Sequence, residues 1–112
     1  MKYMLMICGD EAYMGDANST ADPPGCGGWQ EEMTSRGILR GGEGLRPSSD
    51  ATTVRVRDDE VMISDGPFAE TKEQIGGFSL IECADLEEAL EVASKHPAAR
   101  FGTIEVRPIW ET

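Results

Sequence analysis

Two segments with helical spacing each lie between short runs of strand length, and this order restricts the fold more than any other feature. Residues 3–8 are an apolar run closed by Gly9-Asp10, the pattern of a buried strand. A helix is expected from Asp22-Pro23-Pro24, since Asp is a good N-cap and proline is tolerated in a first turn. Cys26, Trp29 and Met33 then fall on one helical face. Gly25, Gly27 and Gly28 each weaken that start by about 1 kcal/mol relative to Ala. Gly37 is placed to end the helix in a left-handed conformation. The second segment has Asp85 as cap and Glu88 in the capping-box position. Leu86, Ala89, Leu90 and Ala93 form its expected buried stripe, and Pro97 stops it.

The strands are read from the same rules. Ile38–Leu45 is glycine-rich and reads as a bulged strand. Thr52–Arg57 and Glu60–Ser64 alternate around Asp58-Asp59 and read as a hairpin, with Val54 and Val56 on one face and Thr53, Arg55 and Arg57 on the other. Asp65-Gly66-Pro67-Phe68 has turn composition, and Ala69–Gln74 reads as one helical turn. Gly77–Cys83 and Gly102–Ile109 complete the strands. Without the hairpin the order is β-α-β-β-α-β, so the expectation is one α+β domain over residues 1–112, ferredoxin-like with an inserted β-hairpin. Both helices would cover one sheet face. The other face carries Met, Leu, Val and Phe, and a second copy is the simple cover for it, which predicts a homodimer with stacked sheets.

Composition narrows the function. The net charge is −11, from 21 acidic and 10 basic side chains. That surface repels nucleic acid, and the five arginines between Arg36 and Arg57 are interleaved with acids. No apolar run reaches the length of a membrane span, and the apolar start is too short for a signal peptide, so a cytoplasmic protein without membrane contact is expected. Cys8, Cys26 and Cys83 are odd in number and lack a Cys-x-x-Cys pair, and His96 is the single histidine. A disulfide scaffold, a structural metal and a nucleotide, flavin or haem cofactor are therefore not expected. Residues 9–24 form a long loop for so small a domain, the kind used as a lid, an interface or a mobile segment.

The stretch Ser64-Asp65-Gly66-Pro67-Phe68-Ala69-Glu70-Thr71-Lys72-Glu73, followed by Gly76-Gly77-Phe78, resembles the DGPF branch of the YCII-related family. Met1–Asp10, Glu43-Gly44-Leu45, Thr53–Arg57 and Glu105-Val106-Arg107-Pro108 are similar to it as well, and residues 11–33 are the least typical. The resemblance implies a dimeric ferredoxin-like α/β barrel. Many members carry a His–Asp pair in a cleft, from which an enzyme role is inferred, and at least one relative carries out a dehydrochlorination. Members of the branch often occur beside extracytoplasmic-function sigma factors, which implies a regulatory alternative. The family aspartate corresponds to Asp65. The family histidine lies on the first helix, where this chain offers Gly27, Gly28 and Trp29 and no histidine.

The candidate site follows from these readings. Asp65 is the expected general base, with Phe68 and Phe78 as apolar neighbours that hinder its ionisation. The competing reading has Asp65 accepting backbone N–H bonds within its own turn. Arg55 or Arg107 would orient an anionic group, unless Arg55, Arg57 and Arg107 are taken up by ion pairs with Glu105 or Glu70. Phe68, Glu70, Lys72 and Trp29 complete the candidate ligand-binding set, although Trp29 and Met33 also read as core or dimer contacts. Gly41-Gly42-Glu43-Gly44 lacks the lysine and hydroxyl of a phosphate loop and reads as a bulged strand. His96 reads as a favourable charge at a helix C-terminus. The expected activity is small-molecule binding with lyase or dehydrochlorinase chemistry, and the alternative is a non-catalytic interaction module acting with a sigma factor.

Overall fold

The structure is a computed structural model that describes residues 1–10, 26–69 and 71–111, with side chains in the second stretch from Gly28 onward. The expected loop beyond Asp10, the cap at Asp22 and the candidate Glu70 lie outside the described residues. The elements are β1 (Lys2–Asp10), α1 (Cys26–Ser35), β2 (Leu39–Gly44), β3 (Thr52–Arg57), β4 (Glu60–Asp65), β5 (Glu73–Glu82), α2 (Leu86–Ser94) and β6 (Thr103–Pro108). Four strands form one antiparallel sheet in the order β2-β5-β1-β6, and β3 and β4 form a separate two-stranded sheet. This α+β arrangement is compatible with the ferredoxin-like expectation.

Register assigns the two faces of the larger sheet. Leu5 lies opposite Ser79 and Val106, and Tyr3 lies opposite Ile81. These residues face the helices and pack with Trp29, Met33, Ile38, Ala89, Val92 and Ala93 into one core. The alternate residues, Met4 and Met6 on β1 with Leu80 and Phe78 opposite them on β5, face away from that core. All four remain half-exposed in the single chain.

Local chemistry explains the helix ends. At the end of α1 Gly37 has φ +72°, its N–H donates to the Thr34 carbonyl, and the Ile38 N–H donates to the Met33 carbonyl. This is the Schellman stop expected at that glycine. At the start of α2 the Glu88 N–H donates to Asp85 Oδ1 at 2.9 Å, as a capping box requires. The Glu88 carboxylate reaches one residue further back than expected and accepts from the Ala84 N–H at 2.9 Å.

Three expectations need correction. Ala69–Gln74 is not a helical turn, because β5 already begins at Glu73. The Gln74 side-chain amide donates to the carbonyls of Ala69 and Thr71 and holds that approach to the strand in place. The buried stripe of α2 is Ala89, Val92 and Ala93, whereas Leu86 and Leu90 are exposed. Small residues lie inward because α2 packs close to the indole of Trp29, whose Nε1–H donates to the Val92 carbonyl at 2.9 Å. His96 is no surface charge. It is buried, its Nδ1 accepts from the Ala98 N–H at 3.0 Å, and its ring meets Trp29 edge-on with centroids 4.7 Å apart. Pro97 opens a short 3₁₀ turn after α2, and His96 caps that turn.

Candidate functional site

The signature turn joins the hairpin to the sheet. Gly66 has φ +91°, a conformation that favours glycine, and its N–H donates to the Ala51 carbonyl at 2.7 Å. Thr53 Oγ1 donates to the Gly66 carbonyl at 2.8 Å. The turn is therefore held by its backbone and by Thr53. The Asp65 carboxylate makes no hydrogen bond or ion pair among the described residues, and its side chain is exposed in the single chain. The turn-capping role considered for Asp65 is not what the geometry shows.

The Gly-Gly-Phe sequence has a steric cause. A Cβ at Gly42 would sit 2.4 Å from the Phe78 carbonyl oxygen, and one at Gly77 would sit 3.0 Å from the Glu43 carbonyl oxygen. Gly42-Glu43-Gly44 of β2 and Gly77-Phe78 of β5 thus approach backbone to backbone, with a register irregularity between Leu39 and Gly41. This fixes Phe78 on the uncovered face of the sheet, beside Met6.

Hairpin register divides the candidates further. Val54 lies opposite Ile63, Val56 opposite Val61, and Thr52 opposite Asp65. Strand alternation places Asp65 on the same hairpin face as these four aliphatic residues. Arg55 lies opposite Met62 and belongs to the other face. Its guanidinium has no partner among the described residues. Arg107 lies opposite Met4 on the uncovered sheet face and pairs with Glu105 at 2.6 Å. The ion pair expected of Arg107 is present, and the corresponding pair for Arg55 is not. Phe68 is 78% exposed, Lys72 is exposed, and Trp29 is buried on the helix side of the sheet. Within one protomer the register points Asp65 and Arg55 to opposite faces, and the sheet separates Trp29 from Arg107.

Two thiols flank this region differently. Cys8 is half-buried, and desolvation first, then Glu105 and Glu73, pushes its thiol above the ordinary range. Cys83 is buried and also pushed up, chiefly by desolvation and next by Glu88. Both therefore stay as neutral thiols near neutral pH and behave as small apolar groups. Among the described residues no three of His, Cys, Asp and Glu converge as a metal ion requires, and no helix is long and apolar enough to cross a membrane.

Comparison with known proteins fits this arrangement. An uncharacterised protein of Rhizobium meliloti (strain 1021) is 49% identical over 67 residues, which is 58% of this chain and 54% of that protein. The match thus spans about half the length of that relative. The family model for the YCII-related domain matches residues 1–112. The strand order, the interlocked glycines and this end-to-end match together place the chain in the YCII-related domain family.

Proposed function

We propose that the protein is a homodimer of the DGPF kind that stacks its uncovered sheet faces as an α/β barrel and binds a small organic anion beside Asp65. The observation that carries this reading is the unpartnered Asp65 carboxylate at the end of an uncovered aliphatic face. A carboxylate that its own turn does not use is free to accept a proton or a hydrogen bond from a ligand. The apolar strip of Met4, Met6, Phe78 and Leu80 supplies the surface for the second copy. Because the candidate residues do not converge within one protomer, the site is assembled from two. Arg107 or the unpaired Arg55 then supplies the cation, with Phe68 and Lys72 at its margin. The chemistry suited to this set is an elimination. Asp65 takes a proton from a carbon, the C–H electron pair becomes a double bond, and the leaving group departs from the adjacent carbon with its own bonding pair.

The test is a thermal-shift screen of small carboxylic and halogenated organic acids, followed by a search for turnover of any ligand found. Asp65→Asn is expected to abolish turnover while leaving the melting temperature of the free protein within a few degrees. An Asp65→Asn variant with undiminished turnover overturns the assignment.

A second reading, a non-catalytic interaction module that works with a sigma factor, is favoured by the absence of histidine from α1 (Cys26–Ser35). It predicts specific capture of a sigma factor by the intact dimer and no ligand response at Asp65.

A further inference from the structure

The β3–β4 hairpin is amphipathic, yet its own protomer does not use its apolar side. Val54, Val56, Val61 and Ile63 share one face, and their exposures run from 55% to 68%. The opposite face carries Arg55, Arg57, Glu60 and Met62. Such alternation is the pattern of a ribbon with one buried side. The two strands pack extensively only on each other. A lone two-stranded hairpin is at best marginally stable in water, so this one needs a cover. The radius of gyration, 15.5 Å, exceeds the roughly 13 Å of a compact chain of this length, as an arm reaching away from its own core requires.

We infer that a second copy of this chain covers the aliphatic face of the hairpin, seats it on the uncovered face of its four-stranded sheet and closes over Asp65. The inference rests on the dimer proposed above and adds the arm to it. Three observations select this occupant. The surfaces match in kind, because the sheet face presents the apolar strip of Met4, Met6, Phe78 and Leu80. They match in charge, because Asp65 is the charge on the aliphatic side of the arm, while Lys2 and Arg107 stand at one end of the strip. They match in extent, because four aliphatic side chains fall short of the roughly 20–30 residues per side of a stable interface, and the arm reaches that size only together with the sheet face. A nucleic acid or an anionic lipid surface is a poor alternative for a chain of net charge −11.

The test compares three variants by analytical ultracentrifugation over a concentration series, with circular dichroism to confirm folding. Ile63→Glu lies on the aliphatic face, Met62→Glu on the opposite face of the same strand, and Leu80→Glu on the open sheet face. Ile63→Glu is expected to raise the dimer dissociation constant at least about tenfold, one decade being 1.4 kcal/mol. Met62→Glu is expected to change it by less than about threefold. A dimeric wild type that Leu80→Glu dissociates and Ile63→Glu does not overturns the arm and leaves the dimer standing. A monomeric wild type overturns both. Hydrogen exchange of the wild type gives an answer that does not depend on any variant folding. Amides of β3 and β4 are expected to gain protection as concentration rises through the dissociation range, and unchanged protection overturns the arm.

Discussion

Gly42 shows how much one missing side chain decides. Its φ of +152° lies where L side chains are strained, and a Cβ would collide with the backbone of Phe78 and Ser79. Neither neighbour is the far end of a flexible side chain, so the β2–β5 pairing itself would have to shift. Gly28 is the natural comparison, because an added Cβ on this α1 residue meets nothing within 4 Å. Gly42→Ala is expected to destabilise by about 2 kcal/mol or more. Gly28→Ala is expected to stabilise by about 0.5–1 kcal/mol, through lower unfolded-state entropy and better helix propensity. Urea melts of the two variants check the pair, and equal losses would show that the close approach in β2 is not rigid. The sequence made the bulged strand legible at Gly41-Gly42-Glu43-Gly44, but not its partner, because which backbone lies against a glycine is a property of register. His96 was illegible for a related reason. Its neighbours in sequence suggest a helix end in water, and only the 3₁₀ turn after Pro97 carries the ring inward against Trp29.

The two helices hold each other through charge as well as packing. Arg36 donates to Glu91 at 2.9 and 3.2 Å and to Glu32 at 3.2 Å, and Lys95 donates to Glu32 at 3.1 Å. The pairs are solvent-exposed, so each contributes modestly, and their value lies in joining the end of α1 to the outer face of α2. The hydrogen bond from Lys95 holds the Glu32 carboxyl below its ordinary range, and the one from Arg36 does the same for Glu91. A carboxylate with a lowered folded pKa contributes stability above its unfolded pKa and loses it as pH falls through the folded value. Arg36→Met is therefore expected to lower the urea midpoint at neutral pH. Its gap from wild type should narrow below about pH 4, the unfolded carboxylate range. A gap that stays constant into acid would assign the effect of Arg36 to the packing of its aliphatic stem. Most of the elements were legible, since caps, turns and periodicity are local signals. The inward side of α2 was read with Leu86 and Leu90 because hydrophobicity ranks them first, whereas the close approach of Trp29 selects alanine and valine. At the candidate site, alternation placed the hairpin faces correctly. It did not separate Asp65 from Arg55 as ligands of one pocket until the pairing of Asp65 with Thr52 and of Arg55 with Met62 was known.

The whole molecule presents two uncovered apolar surfaces on a strongly acidic body. Apolar burial favours association of two copies, and the long-range field opposes it, because each copy brings a net charge of −11. These two contributions respond oppositely to salt. Repulsion between well-separated surface charges is screened as the Debye length falls from about 30 Å at 0.01 M to about 10 Å at 0.1 M ionic strength. Burial of methionine, phenylalanine, leucine, valine and isoleucine is not screened. Dimerisation is therefore expected to tighten several-fold over that range of sodium chloride, the reverse of an interface held by ion pairs. Sedimentation equilibrium at the two ionic strengths checks this, and dissociation promoted by salt would place the energy in contacts such as the basic end of the sheet strip. The same balance bears on the ligand. An anion that reaches a site inside so acidic a molecule needs local cations to overcome the field, and Arg55, which lacks a partner among the described residues, is the residue placed to provide one. Arg55→Gln is then expected to weaken anion binding in proportion as salt is lowered, while leaving the dimer intact.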